Sequence, residues 1–420
     1  MHIRKFSSID IVLPLGAFLV SFVVFILRRP DIITNPNFWA EDGVVWYKQA
    51  YSNGPISLLW PQDGYYQTVS KLTGLISLFF PVAYAPLLFN IVSIAFRSIL
   101  VSFILSSRMN YFSWKGRILV CCFIVLMPGL SEVHANITNT HWYLSMWLVC
   151  IIICNKPQTN IWFCHDIFVT CLAGLSGPFI IFIAPLVCMR AWFDADYRRY
   201  LFSGKGLLFA GVFTTILLVQ VVTILILGQS ARVSAPLGFS FDILTSILSA
   251  RIFLGAFLSE VQIHWLFDQH VLNTLISILG VLSLIYAFFK LTWQFKCVIL
   301  FSFLMIFTAL MKPMINATEP QLQFLNNVGG RYFVITSIAW FTILISVGSD
   351  LLSRLNNTTK IIATTVSMAA IVALIAPNFR MPPLRDTMWS IQASEFAKLP
   401  AGTEYTFNIN PEGWTMKLVR

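Results

Sequence analysis

The residues best suited to chemistry stand in the sequence Phe-Trp-Ala-Glu-Asp-Gly at positions 38–43. Two adjacent carboxylates, Glu41 and Asp42, lie between aromatic residues and a glycine, in a chain of which only 11% is charged. A further acidic residue, Asp63, follows in Pro-Gln-Asp-Gly-Tyr-Tyr. Carboxylates are costly beside lipid, so their presence at a membrane face favours a chemical role. The alternative is a solvated loop in which each Asp-Gly pair forms a turn.

A second polar segment, residues 131–143, reads Ser-Glu-Val-His-Ala-Asn-Ile-Thr-Asn-Thr-His-Trp-Tyr. Its carboxylate, imidazoles, amides and hydroxyls suit the binding of sugar hydroxyls, and Trp142 or Tyr143 can supply a stacking face. Ordinary solvation of a membrane turn is the alternative. The two histidines can instead bind a metal together with Glu132.

Cations and glycines mark two further places. Lys312 and Arg331 each stand at the boundary of a hydrophobic run, and Arg331 follows Gly329-Gly330. Such glycines let the backbone approach a ligand closely while the guanidinium binds a phosphate, although Arg331 can also reach lipid headgroups. The sequence Gly-Leu-Ser-Gly-Pro at 174–178 is either a helix break whose N–H groups meet an anion or a plain hairpin.

The composition indicates a polytopic membrane protein, because 57% of the residues are hydrophobic. Counting each apolar run as a crossing predicts about eleven transmembrane helices. The runs are 9–27, 83–105, 118–130, 142–154, 161–173, 179–189, 207–227, 271–289, 298–310, 332–347 and 361–376. Residues 72–80 are too short to span and end at Pro81, which predicts an interfacial or re-entrant helix. The first run is too long for a cleaved signal sequence and is predicted to be a retained helix.

Charge is distributed unequally between the connecting segments. With the N-terminus inside, the loops 1–8, 106–117, 155–160, 190–205, 290–297 and 348–360 hold half of the 28 lysines and arginines. This bias satisfies the positive-inside rule, so the net charge of +10 indicates topology and no nucleic-acid partner is predicted. The segments 28–82 (the first outer loop), 131–141 (the second outer loop), 228–270, 311–331 and 377–420 hold 13 of the 18 acidic residues. Any active site is therefore expected on the outer side.

Two buried features are predicted to serve structure. All eight cysteines fall in or beside hydrophobic runs, which makes a disulfide framework unexpected. Arg97 lies inside a span and requires a partner that the sequence does not reveal.

One reaction uses every one of these outer groups, namely glycosyl transfer from a lipid-phosphate sugar to a hydroxyl. Asp42 is predicted to remove the acceptor proton, Glu41 or Asp63 to position substrate, and Arg331 or Lys312 to stabilise the departing phosphate. A single displacement inverts the anomeric configuration. The other predicted substrate-binding residues are Trp39, Tyr65, Tyr66, Glu132, His134, Asn139, His141, Trp142 and Tyr332. No cofactor is predicted, and a divalent metal is compatible with the reaction but not implied.

The chain also resembles the polytopic GT-C glycosyltransferases, and among them the bacterial and prophage-encoded serotype-converting glucosyltransferases of O-antigen. The resemblance lies in Trp-Ala-Glu-Asp-Gly at 39–43, Asn-Thr-His-Trp at 139–142, Gly-Leu-Ser-Gly-Pro at 174–178, Gly-Gly-Arg-Tyr-Phe at 329–333 and Asn-Pro-Glu-Gly-Trp at 410–414. It implies an undecaprenyl-phosphate glucose donor, a lipid-linked O-antigen acceptor, and a periplasmic active site in the bacterial inner membrane. The family's first-loop acidic residues correspond to Glu41 and Asp42.

The predicted fold is an all-α GT-C helix bundle over residues 1–377, with residues 28–82 as the catalytic first loop. A short periplasmic tail, 378–420, is expected to pack on the bundle and to share acceptor recognition with the loops, whereas many GT-C enzymes carry a large soluble domain there. Two rival functions stay open. A flippase for a lipid-linked sugar predicts charges along an interior path and a repeat, neither of which the sequence shows. An O-antigen polymerase predicts several arginines in the outer loops, which the sequence does not suggest.

Overall fold

The computed structural model describes residues 9–227, 240–311, 319–326 and 328–420. The α-helices of this part of the chain are α1 (Ile9–Arg28), α2 (Asp31–Thr34), α3 (Lys48–Asn53), α4 (Thr68–Ser77), α5 (Ala85–Ile104), α6 (Trp114–Leu126), α7 (Thr140–Ile153), α8 (Asn160–Gly174), α9 (Phe179–Phe193), α10 (Ala195–Leu201), α11 (Gly204–Leu227), α12 (Phe241–Ile247), α13 (Glu260–Phe267), α14 (His270–Lys290), α15 (Trp293–Met311), α16 (Pro320–Gln323), α17 (Val334–Leu352), α18 (Asn357–Ile375) and α19 (Trp389–Lys398). Two π-helical segments, Asp42–Tyr47 and Leu248–Phe253, and short 3-10 turns join them.

Six helical stretches within the described residues are long and apolar enough to cross a membrane. They are Val82–Ile104, Gly204–Leu227, His270–Lys290, Trp293–Met311, Gly330–Leu352 and Asn357–Asn378. The predicted runs at 118–130, 142–154, 161–173 and 179–189 form α6 to α9, of 13 to 15 residues each. At 1.5 Å per residue these helices measure about 20–22 Å, short of a hydrocarbon core of about 30 Å. The multi-pass membrane character is clear, and the count of about eleven crossings stays a prediction.

The centre of the bundle is α7, whose residues are buried on every side except His141. A helix that is apolar all round belongs in a core, and α7 packs against α5, α8 and α9. Arg97 of α5 places its guanidinium 4.4 Å above the ring of Tyr143 on α7, a cation–π contact, while its three nitrogens are buried without a hydrogen-bond acceptor among the described residues. In contrast, α18 buries only Ile375 and stands at the edge of the bundle.

The first outer loop is mostly helical, with the π-helix Asp42–Tyr47 packed on α3 and α4. The predicted interfacial helix 72–80 corresponds to α4, which begins four residues earlier and stops at Ser77, before Pro81. Phe79 and Phe80 just beyond it are exposed. Their exposure suits a position at the membrane interface, and that position stays a prediction.

The tail after Pro377 departs from the predicted all-α class. Strands β1 (Glu404–Asn408) and β2 (Thr415–Val419) form an antiparallel hairpin with Glu404 opposite Val419. Met416 and Leu418 point inward while their neighbours are exposed, which is the alternation of a half-buried strand. The tail packs on the first outer loop, where Trp389 meets Phe38 edge to face at 5.0 Å. Residues 404–409, Glu-Tyr-Thr-Phe-Asn-Ile, alternate between polar and apolar side chains, and the first five of them form β1.

Candidate active site

Asp42 fastens the first outer loop to the second. A turn at Trp39 and Ala40 starts the π-helix, and the Asp42 N–H donates to the Trp39 carbonyl at 2.9 Å. One carboxylate oxygen accepts the N–H and the hydroxyl of Thr138 at 2.8 and 2.6 Å, and the other accepts the Ile137 N–H at 3.0 Å. Only 1% of Asp42 is exposed. The carboxylate is thus a buried acceptor for three donors from a loop about 95 residues away.

Burial decides the acidity of Asp42. It raises the pKa of the carboxyl to about 7, against the three hydrogen bonds, which lower the pKa. The Trp46 indole N–H donates to the Thr138 hydroxyl oxygen at 2.8 Å, so the hydroxyl proton points to Asp42. A carboxyl with a pKa near 7 changes its protonation state at neutral pH, as a general base requires.

The other predicted residues of the first outer loop lie apart from this network. Glu41 is half-buried at the turn before the π-helix. Asp63 is exposed at a left-handed position, φ 55°, in a tight turn closed by hydrogen bonds between Gln62 and Tyr65. Trp39 is half-buried and pairs through its backbone with Asn410 of the tail.

Tyr66 lies against the Gly-Leu-Ser-Gly-Pro segment. Its carbonyl accepts the Gly177 N–H at 2.8 Å, and its N–H donates to the Gln220 side chain at 3.1 Å. Gln220, in the apolar helix α11, also donates to the Gly174 and Gly177 carbonyls. The idea that this break presents its N–H to an anion is therefore wrong for Gly177. Sequence reasoning missed Gln220, although a lone amide in an apolar helix signals such a role.

The second outer loop is held in shape by its own amides. The Glu132 carbonyl accepts the side-chain amides of Asn136 and Asn139 at 2.8 and 3.3 Å. The Asn139 backbone N–H donates to the Asn136 side chain at 3.0 Å. Asn139 is buried, so its amide supports the loop and is not available to a sugar. The predicted contact with substrate is replaced by a structural role.

Glu132 and Arg331 form an ion pair at the opposite end of this loop. One oxygen of Glu132 accepts the Arg331 backbone N–H at 3.1 Å, and the other pairs with the guanidinium. Gly329 adopts a left-handed conformation, φ 74°, and a Cβ on Gly330 would lie 3.4 Å from the carboxylate. A Cβ on Gly329 would lie 2.9 Å from the Phe324 ring, so this glycine serves the left-handed turn and the packing of Phe324. The side chains of Arg331 and Glu132 remain 29% and 24% exposed.

The predicted stacking aromatics pack on one another. The Trp142 ring lies 4.8 Å from Phe179 and 5.7 Å from Tyr332, and Arg331 covers Tyr332 at 4.9 Å. Trp142 and Tyr332 are both buried. Protein side chains cover these two rings, so neither ring offers the exposed stacking surface that was predicted for a sugar. His141 joins this cluster, and its Nδ1 lies 3.4 Å from the Gln67 amide nitrogen.

His134 lies beneath the loop, away from the ion pair. Its Nε2 is 3.1 Å from the Phe25 carbonyl oxygen, and burial together with Arg97 holds the pKa of His134 well below its usual value. His134 and His141 thus face different partners. No group of three His, Cys, Asp or Glu side chains in the described ranges could hold a metal ion. The hypothesis of a metal bound by both histidines and Glu132 does not fit this geometry.

A small charged cavity opens beside Glu132. This Arg251 pocket, of about 50 Å³, is lined by Glu132, Arg251, Glu260, Gly330 and Ser337 among others. Burial lowers the pKa of Arg251 to about 10, and the carboxylates of Glu132 and Glu260 oppose that shift. Since one water needs about 10–15 Å³ on this measure, the pocket has room for several waters or a small polar group.

No family model and no curated protein matches the chain. Three solved structures of an oligosaccharyltransferase from Archaeoglobus fulgidus are similar to it. The complex with Zn and sulfate has 13% identity and a TM-score of 0.43, with 93% of this chain and 56% of that chain covered. The apo form has 12% identity and a TM-score of 0.45, with 91% and 56% covered.

The third is AglB in complex with an inhibitory peptide and a dolichol-phosphate, with 12% identity, a TM-score of 0.46, and 94% and 59% covered. The present chain thus spans little more than half the length of these proteins. At such TM-scores the likeness decides neither the fold family nor the function of this chain. The function is therefore inferred from the residues of the two outer loops and their contacts.

Sequence reasoning overlooked a second cation near Arg331. Arg251 belongs to the segment 228–270, which was predicted on the outer side, where lysine and arginine are less common. The expectation that the outer loops lack several arginines is wrong, because the predicted outer segments hold Arg28, Arg29, Arg251 and Arg331. Arg28 and Arg29 donate to the tail carbonyls of Phe379 and Pro382. Lys312 lies outside the described residues.

Proposed function

We propose that this protein is an inverting glycosyltransferase of the GT-C type. It moves a sugar, glucose by the resemblance, from undecaprenyl-phosphate-sugar to a lipid-linked O-antigen repeat unit at the periplasmic face of the bacterial inner membrane. The observation that carries the proposal is that one short loop binds both Asp42 and Arg331. Glu132 and Ile137 are five residues apart, so their Cα atoms are separated by at most about 18 Å. A proton acceptor and a cation are thereby attached to the same loop.

The reaction is a single displacement. The acceptor hydroxyl attacks the anomeric carbon, the bond between that carbon and the phosphate oxygen breaks, and the hydroxyl proton passes to Asp42. Arg331 and Arg251 stabilise the lipid phosphate that leaves. The attack from the opposite side inverts the configuration.

Access to Asp42 sets a condition on this mechanism. The carboxylate already accepts three protein donors, so the acceptor hydroxyl has to compete with the Thr138 hydroxyl for it. Catalytic hydrogen bonds commonly form only once substrate is bound. Glu41, the more exposed neighbour, is the second candidate base, and Asp42 would then position the loop.

Transfer by the purified protein tests the proposal. The assay supplies undecaprenyl-phosphate-[¹⁴C]glucose and a lipid-linked O-antigen repeat, and NMR of the product reads the anomeric configuration. Asp42→Asn should abolish transfer while Glu41→Gln retains it; the reverse result would make Glu41 the base. Product of retained configuration would end the single-displacement mechanism. The polysaccharide composition of cells with and without the gene identifies the sugar.

The two rivals make different predictions in the same experiment. A flippase would move the lipid-linked sugar across vesicles and tolerate Asp42→Asn. A polymerase would lengthen the lipid-linked repeat without adding a side-branch sugar. The arginines near the outer loops remove the earlier objection to a polymerase. The transferase and the polymerase both need a general base, for which the buried Asp42 carboxylate is the candidate.

A further inference from the structure

Arg97 is a fully buried arginine to which the protein offers no counter-charge. Its side chain is 0% exposed, and none of its three nitrogens has a hydrogen-bond partner within the described ranges. Other buried arginines are treated differently, since Arg28 donates to backbone carbonyls and Arg108 donates to both oxygens of Asp166. The segments outside the described ranges contain no Asp or Glu. The missing carboxylate therefore cannot come from them.

Two polar groups near Arg97 are also buried without a hydrogen-bond partner among the residues that the structure describes. They are the hydroxyl of Tyr143, whose ring lies 4.4 Å from the guanidinium, and the Nδ1 of His134. Burial lowers the pKa of His134 and of Arg29, and the charge of Arg97 lowers both further. Positive charge thus accumulates in this part of the core, beside a hydroxyl that has no acceptor.

The unpaired groups lie one helical turn further into the bundle than the base of the second outer loop. Ser93 on α5 donates to the Asn136 carbonyl at 2.7 Å, and Thr140 on α7 donates to Ser93 at 3.0 Å. Arg97 follows Ser93 by four residues and Tyr143 follows Thr140 by three, so each is the next residue on the same face of its helix. The loop that binds the proposed base therefore rests on the layer formed by Arg97 and Tyr143.

Burial of a charge that is neither paired nor hydrogen-bonded is strongly destabilising. Water would accept the N–H groups of Arg97 but would leave its charge in place, whereas an anion does both. An ionisable residue inside a membrane bundle usually has such a partner. A single guanidinium requires a single negative charge, and its complete enclosure excludes a ligand with an attached chain.

We propose that Arg97 binds a small monovalent anion, chloride in the cell, between α5 and α7 beside Tyr143. The ion neutralises the guanidinium and accepts its N–H groups, and it joins the two helices beneath the second outer loop. The site is separate from the proposed sugar transfer and does not depend on it.

Thermal unfolding of the intact chain in detergent tests the site. Sodium chloride and sodium gluconate are compared at equal ionic strength, because gluconate is too large for an enclosed position. A ligand that binds only the folded state raises the Tm in a saturable manner, and the expected rise in chloride is about 2–4 °C. Equal Tm values in the two salts overturn the proposal.

Two buried arginines offer a matched pair of variants. Arg97→Met removes the proposed ligand-binding charge and should abolish the chloride-dependent rise. Arg117→Met makes the same exchange at a buried arginine that donates to the Ser106 carbonyl, and it should retain the rise. Arg97→Gln serves if Arg97→Met folds poorly. A chloride-dependent rise that persists in either Arg97 variant contradicts the proposal.

The Tm in gluconate separates an anion site from a merely structural arginine. Without a bound anion, Arg97→Met should unfold at or above the wild-type temperature, because an apolar side chain replaces an uncompensated buried charge. Unfolding of this variant well below the wild-type temperature in gluconate would show that the protein itself already balances Arg97, and the proposal would fail.

Bromide locates the ion directly, because it can replace chloride and scatters X-rays anomalously. Crystals grown in sodium bromide should show an anomalous peak within hydrogen-bonding distance of the Arg97 guanidinium, and crystals of Arg97→Met should lack it. Ordered water alone at this position, or bromide confined to the protein surface, overturns the proposal.

Discussion

Two arginine–carboxylate pairs on opposite sides of the bundle differ in how completely the protein surrounds them. Arg108 and Asp166 are 5% and 4% exposed, and the Arg108 guanidinium donates to both carboxylate oxygens and to the Asn155 carbonyl. Arg331 and Glu132 are 29% and 24% exposed and stand beside the Arg251 pocket. The first pair is enclosed by protein, while the second remains partly open to a ligand.

The difference shows how the same side-chain chemistry serves two purposes. A buried bidentate pair whose guanidinium also donates to the Asn155 carbonyl ties Asp166 of α8 to the turn that follows α5. A quarter-exposed pair contributes little stability, since solvent screens it. In the proposed mechanism this pair holds the Arg331 guanidinium where an anion can bind beside the Glu132 carboxylate or replace it. Exposure, and not residue type, therefore distinguishes the candidate site from the structural pair.

The largest expected effect comes from Asp42→Asn, which removes the proposed base but keeps the shape of the side chain. Transfer should fall by about 10³-fold, within the range of general-base catalysis. Radiolabelled transfer by purified protein measures it. Glu41→Gln is the control and should retain most of the activity. Transfer within tenfold of wild type in a folded Asp42→Asn protein would contradict the assignment.

Asp166→Asn should break the enclosed pair on the opposite side. Loss of one partner leaves Arg108 buried and uncompensated, which costs about 3–5 kcal/mol of stability. Denaturant unfolding in detergent measures the loss, and transfer per folded molecule should be unchanged. If activity falls while stability holds, the two pairs are not divided between structure and function as their exposure implies.

Glu132→Gln tests the half-open pair and should act on binding more than on stability. The free energy of unfolding should change by less than about 1 kcal/mol, because the pair is exposed to solvent. The KM for the lipid donor should rise about tenfold, because Arg331 loses the carboxylate that orients its guanidinium. Glu404→Gln breaks an exposed pair with Lys417 on the tail hairpin and should alter neither quantity.

The pH dependence gives the smallest and most specific effect. Burial raises the pKa of Asp42 to about 7, so transfer should increase as the pH rises through 7. The folded protein binds this proton more tightly than the unfolded chain, so the stability from this group is complete below about pH 4 and is lost as the pH rises to 7.

Thr138→Val removes a hydrogen bond that lowers the pKa of Asp42 and should shift the acid limb of the rate profile upward by up to about one pH unit. Trp46→Phe leaves that bond in place and should move the limb less. A limb that stays fixed in Thr138→Val would show that another group titrates.

Local patterns in the sequence were enough to predict the helices and to show that charge is distributed unequally between the connecting segments. The runs at 83–105 and 207–227 coincide within a few residues with helices that are long and apolar enough to span a membrane, since apolar length is a property of the segment alone. The alternation at 404–409 was visible but was assigned to an all-α tail. The sequence did not reveal whether the short helices α6 to α9, of 13 to 15 residues each, cross the membrane. The reason is that an apolar helix can be surrounded by other helices instead of lipid, as α7 is.

The sequence by itself determined that this is a multi-pass membrane protein, because hydrophobic length is a property of each segment alone. It also predicted that the acidic loops gather on one side of the membrane. Only the tertiary structure decided that Asp42 is enclosed by Thr138 and that Arg251 joins Glu132. It also decided that Trp142 is covered by its neighbours. These facts depend on which distant segments meet, and the burial that results sets both the pKa of Asp42 and the access to the site.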